Sequence, residues 1–213
     1  MKNNRMMLSA YRDIDGILAL AGESVKSDLL QQHGIAIWLT GLSGSGKTTI
    51  AGLLEQQLRA ENYFALTLDG DALRNTLNKD LSFTTKDRAE NIRRAAEMAK
   101  LLVQKNVITI CSFITPLQQH RDIAHSILGD SYFEVYVECP LSICEERDVK
   151  GLYKKARNNE IKDFTGIGSA FEAPLHPWSI LNTSDQLPEE SALILFTQIF
   201  PHIQPASQQD IFA

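Results

Sequence analysis

One stretch constrains the fold of this chain more than any other: Gly41-Leu42-Ser43-Gly44-Ser45-Gly46-Lys47-Thr48, which fits the pattern G-x-x-x-x-G-K-S/T. Small residues in such a loop let successive backbone N–H groups turn inward around phosphates. Lys47 then sets a positive charge against the β- and γ-phosphates, and the Thr48 hydroxyl is placed to ligate Mg²⁺. A plain Gly/Ser turn between a strand and a helix is the competing explanation. The flanks decide: Ile35–Thr40 is a continuous apolar run suited to a strand buried on both faces. After the loop, Ile50, Leu53, Leu54 and Leu58 recur at helical spacing within Thr49–Ala60. Strand, loop and helix in that order predict a site for a purine nucleoside triphosphate with Mg²⁺, and the dipole of the helix adds to the anion site.

The rest of the chain continues the alternation. Ala65–Leu68, Val107–Ser112 and Tyr132–Val137 read as further strands, the first ending at Asp69-Gly70-Asp71. Helices are expected over Thr84–Lys105, with Thr84 as N-cap, Asp87 in the capping-box position and Asn106 as a stop, and over Pro116–Leu128, Leu141–Arg147 and Pro188–Phe200. Gly151–Phe164 is rich in Lys and Arg, is weak in apolar periodicity and reads as mobile. The predicted class is α/β, a mostly parallel sheet with helices on both faces. Residues 1–33 form an N-terminal extension with a short helix ending over Ser27–Gln32, residues 34–203 the domain, and 204–213 a tail.

At 213 residues the chain suits one such domain. Its net charge of −5 argues against a protein that coats nucleic acid. Cys111, Cys139 and Cys144 lack metal-type spacing, and a reducing cytoplasm is the simplest compartment for them. Met1–Arg5 is basic, but no apolar signal region follows and no run has the length of a membrane span, so neither nucleic acid nor membrane is expected as a partner.

Several residues outside the loop are candidates for chemistry. Asp69 and Asp71 follow a strand, at the sheet edge where α/β ligands bind. Asp69 could hold a Mg²⁺-bound water or take an acceptor proton; an Asp-Gly turn with Asp71 as helix cap is equally compatible. Arg88, Asn91, Arg93 and Arg94 lie on one predicted helix, with Arg88 and Asn91 sharing a face that could bind a second anion. A solvated basic face paired with Glu90 and Glu97 is the alternative. Phe83 and Phe164 sit in polar surroundings where they could stack on a purine or simply pack in a core. Arg147, Lys150, Lys154, Lys155, Arg157 and Lys162 suit a lid over phosphates, or a surface helix countered by Glu145, Glu146 and Glu160.

Taken together, these segments resemble adenylylsulfate kinase (APS kinase). The resemblance runs through Gly41–Thr48, Leu68–Asp71, Leu77–Phe83, Asp87–Arg94, Ser112–Pro116, Arg147–Tyr153 and Ile161–Ile167, in unbroken order over about residues 25–185. It implies a P-loop kinase fold with a mobile lid over about residues 147–168. The implied reaction transfers the γ-phosphate of ATP to the 3′-hydroxyl of adenosine 5′-phosphosulfate (APS), giving 3′-phosphoadenosine 5′-phosphosulfate and ADP. Lys47 and Asp69 would be catalytic. Gly41 through Thr49, Arg147 and Thr183 would contact ATP, with Thr48 and, through water, Asp69 on Mg²⁺. The acceptor would meet Asp71, Arg74, Phe83, Arg88, Asn91, Ile114, Thr115, Lys150, Gly151, Leu152, Asp163 and Phe164. Phe83 and Phe164 would sandwich its adenine, while Arg88 and Asn91 met the phosphosulfate. A homodimer is implied as well.

The chain departs from the family pattern at Ala72 (Asn), at Ser82 and Thr84, at Thr115, Leu117 and Gln118 (Ser, Tyr and Arg), and at Gly168 (Asp). Those changes motivate one rival reading, a kinase of the same build acting on another small nucleotide such as a cytidine phosphoramidate. A second rival is a non-catalytic nucleotide-binding regulator; the joint presence of Lys47, Thr48, Asp69, Arg88, Asn91 and Lys150 argues against it.

Overall fold

The computed structural model describes residues 30–205. The chain divides into two units, 1–31 and 32–213. Only Leu30 and Gln31 of the first are described, and they form no regular element; the rest of the helix expected to end over Ser27–Gln32 lies outside the described residues. Gln32 is not helical. Its amide donates to the carbonyls of Phe64 (2.8 Å) and Asn106 (2.6 Å) and accepts from the Phe64 N–H (2.7 Å).

The second unit is a parallel five-stranded sheet of β1 (Ala36–Thr40), β2 (Ala65–Asp69), β3 (Ile108–Ser112), β4 (Tyr132–Glu138) and β5 (Ser179–Asn182), in the order β2-β3-β1-β4-β5. Between and after the strands run α1 (Lys47–Ala60), α2 (Gly70–Asn75), α3 (Thr85–Val103), α4 (Gln118–Leu128), α5 (Leu141–Arg147), α6 (Leu152–Arg157) and α7 (Pro188–Ile203). The central strand shows why both faces must be covered. Its side chains alternate, Ile37 and Leu39 packing with Ile50, Leu54 and Leu58 of α1 and Leu195 and Ile199 of α7. Ala36 and Trp38 point the other way, into Ile92, Ala95 and Ala99 of α3 and Ala124 and Leu128 of α4. Each fully buried large aliphatic contributes about 1.5–3 kcal/mol; truncating Leu54 to Ala would cost roughly 2–5 kcal/mol. Because α1 and α4 leave neighbouring strands β1 and β3 toward opposite faces, a crevice opens at the carboxyl edge between them, where ligands bind in open α/β sheets.

The alternation read from the sequence holds, with local differences. β5 was not anticipated: it is short, and only Ser179 and Leu181 of its residues are buried. The Asp-Gly-Asp segment opens α2, but its cap is Asp69 and not Asp71; the Asp69 side chain accepts from the N–H groups of Asp71 and Ala72. Thr84 caps α3 as expected, whereas the Asp87 carboxylate accepts from the Ser82 N–H and hydroxyl, and the Thr84 N–H donates to the Ser82 hydroxyl, so the capping box is not closed. α4 begins at Gln118, two residues later than predicted, because the preceding loop is held in another conformation. The segment expected to be mobile contains α6, whose Tyr153 and Ala156 are buried while its lysines face solvent. So few buried positions leave no periodicity to read.

Candidate functional site

The carboxyl ends of β1, β2 and β3, together with α5, α6 and the loop after α6, enclose a cavity of about 830 Å³. The glycine loop forms one end. Gly41 lies so close to β4 that a Cβ there would stand 2.5 Å from the Val137 carbonyl oxygen, and Gly46 caps α1 at φ 97°, a backbone that other residues rarely adopt. The Lys47 ammonium is buried inside the loop, donating to the carbonyls of Gly41 (3.0 Å) and Leu42 (2.6 Å). Burial lowers its pKa to about 8, against the opposing pull of neighbouring acids such as Asp71 and Asp69.

Three oxygens converge beside the loop. The Thr48 hydroxyl donates to Asp69 Oδ2 at 3.0 Å and lies 3.3 Å from the Ser112 hydroxyl at the end of β3. Asp69 Oδ1 meanwhile accepts from the Asp71 N–H at 2.9 Å and the Ala72 N–H at 3.2 Å, so the cap that starts α2 also fixes this carboxylate. A hydroxyl, a carboxylate and a second hydroxyl are hard oxygen donors of the kind Mg²⁺ takes. Among the described residues no group of three or more His, Cys, Asp or Glu could hold a metal. A cation at this spot fits as one shared with phosphate oxygens. Ser112 was not singled out from the sequence, although its place at the end of a strand is the signal that could have found it.

The other end of the cavity is assembled from distant segments. Phe83 is 61% exposed, with the Arg74 guanidinium 4.4 Å and the Arg88 guanidinium 5.6 Å from its ring centre. Arg88 donates to the carbonyls of Phe83 (2.9 Å) and Asp163 (2.9 Å) and to the Thr165 hydroxyl (3.2 Å), tying α3 to the loop after α6. Asn91 is buried and held by Asn78, whose amide donates to its oxygen at 3.0 Å; Asn78 too escaped the sequence reading. Lys150 pairs with Asp71 across the cavity mouth. Phe164 packs edge-on against Tyr153 at 5.0 Å, and the Tyr153 hydroxyl donates to the Ser43 carbonyl at 2.8 Å. Arg147 donates to the carbonyls of Thr183 and Gly44, and the Thr183 hydroxyl donates to the Ser45 carbonyl at 2.9 Å.

Most of the candidates from Gly41 to Thr183 therefore line this one cavity, with exceptions. Gly41, Leu42, Ser45 and Gly151 do not line the cavity; the first three shape the loop around Lys47, and Gly151 caps α6 at φ 65°. Arg93 and Arg94 take the alternative role: Arg93 pairs with Glu90 and Glu97, Arg94 with Glu90 and Asp80. Arg157 likewise pairs with Glu145. Thr115 lines the cavity, but it is held from behind. Its φ of 41° is strained for a β-branched residue, and its hydroxyl accepts from the Trp38 indole at 2.9 Å while its carbonyl accepts from Arg121 at 3.1 Å. The Ile114 carbonyl is bound in the same way, by the Thr40 hydroxyl at 2.8 Å.

With this geometry in place, the likenesses to known proteins are specific. A family model described as adenylylsulphate kinase matches residues 33–182. The chain is 52% identical over 166 residues to the adenylyl-sulfate kinase of Clostridium kluyveri, covering 78% of this chain and 83% of that one. It is 50% identical over 179 residues to the adenylyl-sulfate kinase of Bacteroides fragilis, covering 84% and 89%. Among solved structures it is similar to the Mycobacterium tuberculosis APS kinase CysC in complex with AMPPNP and APS, at TM-score 0.76 and 43% identity, covering 79% of this chain and 98% of that one.

Proposed function

Since the chain belongs to the adenylylsulphate kinase family, we propose that its cavity is the site at which ATP phosphorylates the 3′-hydroxyl of adenosine 5′-phosphosulfate. The observation that carries this reading is the continuity of the cavity, which joins the phosphate loop to the Arg74, Phe83, Arg88 and Asn91 group without a break. The O3′–Pγ bond forms as the bond from Pγ to the β-bridging oxygen breaks, leaving ADP.

Within that reaction, the loop N–H groups and Lys47 hold the β- and γ-phosphates and oppose the negative charge of the transition state. Asp69 faces the reacting edge, orienting a metal-bound water or accepting the 3′-hydroxyl proton. The Mg²⁺ that accompanies ATP would be held by Thr48, Ser112 and, through water, Asp69, and would supply charge neutralisation to the phosphates. Arg147 and Thr183 flank the ATP base. Phe83 and Phe164 take the acceptor adenine between them, while Arg88, Asn91 and Lys150 meet its anionic end. The segment 147–168 acts as the lid; its bonds to Ser43, Gly44 and Arg88 are those that closing over two nucleotides would use to exclude water. Thr115 is not given a covalent role, since direct in-line transfer needs no phospho-enzyme.

The working unit is taken as a homodimer, as the resemblance implies, which light scattering on the purified chain tests. No helix among the described residues is long and apolar enough to cross a membrane, and the three buried free thiols suit a reducing cytoplasm. The decisive assay is ADP release at fixed ATP with a panel of acceptors. APS-dependent turnover is expected; turnover on a cytidine nucleotide without any on APS would overturn the reading.

A further inference from the structure

His120, in the first turn of α4, lies on the cavity wall with no exposed surface, and neither ring nitrogen has a hydrogen-bond partner. Polar groups in such settings are normally paired, so an unpaired imidazole facing a ligand cavity marks a place for ligand atoms. Its surroundings specify which. The charges of Arg88 from α3 and Arg121 from its own helix bear on the ring, as does Glu172 from the loop after α6; the Thr85 carbonyl faces it without reaching hydrogen-bonding geometry. Burial first, and Arg88 second, hold its pKa below the ordinary histidine value.

The neighbours on α4 are already engaged. The Gln118 amide donates to Asp122 (2.8 Å) and accepts from Arg121 (2.8 Å), and Gln118 does not line the cavity. Arg121 is ion-paired with Glu134 at 3.1 Å. Arg88, by contrast, has five N–H groups and directs three at carbonyl and hydroxyl oxygens, so it can share an anion with a neighbour. We propose that His120 is a binding residue for the acceptor, its imidazole hydrogen-bonding the phosphosulfate end of the nucleotide beside Arg88. The inference rests on the APS reading above and adds to it a residue that fixes which anion the acceptor half accepts.

The test compares KM for APS at saturating ATP with KM for ATP at saturating APS, in the wild type and in His120→Phe and His120→Asn. Removing the ring nitrogens in His120→Phe should raise KM for APS about tenfold and leave KM for ATP within about twofold. His120→Asn, which keeps a polar group in the same place, should recover most of that loss, and His120→Leu, which also lacks the ring nitrogens, replaces the phenylalanine variant if that one does not fold. A KM for APS within about twofold of wild type in folded His120→Phe or His120→Leu overturns the proposal, and so does a parallel rise in both KM values. Wild-type turnover on APS is measured first: its absence removes the functional reading, whereas wild-type turnover with unaffected variants removes the role of His120 alone.

Discussion

The two ends of the cavity are built by opposite strategies. The donor end is local: Lys47, Gly41, Leu42 and Ser45 bind one another within one short loop, seated on a strand whose residues are all buried. The acceptor end is composite. Arg88 is joined to residues 163 and 165, Lys150 to Asp71, and Asn91 to Asn78, so its shape exists only when the whole chain has folded. The difference teaches where tolerance lies. A local loop serves any nucleoside triphosphate, while an assembled wall can change its acceptor by changing one contributor.

Substitutions can break this contrast or sharpen it. Lys47→Ala should have the largest effect, lowering kcat/KM for ATP by about 10³, because it removes the buried charge that the proposed reaction sets against the phosphates. Asp69→Asn keeps a capping side chain for α2 but loses the negative charge, so ATP binding should persist while kcat falls roughly 10²-fold; unchanged kcat would take Asp69 out of the mechanism. Arg88→Ala should raise KM for APS about tenfold to a hundredfold with little change in KM for ATP, and equal changes in both would erase the division between the two ends.

The pH profile adds a smaller effect. Lys47 must be charged to bind phosphate, and its pKa near 8 in the free protein makes kcat/KM for ATP fall as pH rises through that value, by about tenfold per unit beyond it. In Lys47→Arg the alkaline limb should move out of range, however low the remaining rate. Smallest of all, Asp71→Asn should shift the unfolding free energy by less than about 0.5 kcal/mol, because the Lys150–Asp71 pair is well over half exposed. Differential scanning calorimetry would read it.

Legibility from sequence followed the same division. β1, the loop and α1 were readable because an apolar run, a glycine pattern and a helical period adjoin in one stretch. β5 escaped because only alternate residues of a short strand are buried, and α2 was read only as one alternative, capped at Asp71 and not Asp69, because its Gly-Asp start looks like a turn. The resemblance named residues of the proposed acceptor wall that physics alone left undecided: nothing local tells Arg88, which reaches residues 163 and 165, from Arg93 and Arg94, which pair with acids. His120 and Ser112 carried too little context to stand out. Their environments come from elements far away in the chain.

The strand order also bears on how this molecule comes into being. β1 is translated first among the strands, yet it pairs on one side with β3, Ala36 beside Thr109, and on the other with β4, Ala36 beside Tyr132. Such long-range parallel pairing makes for slow folding. Until β4 is made, β1 lacks one of its two partners, and Gly41 lacks the neighbour at Val137 against which it fits. The phosphate loop, the most local motif in the sequence, thus waits for a strand far along the chain before its surroundings are complete. Added ATP should therefore slow unfolding of the finished domain without speeding its refolding.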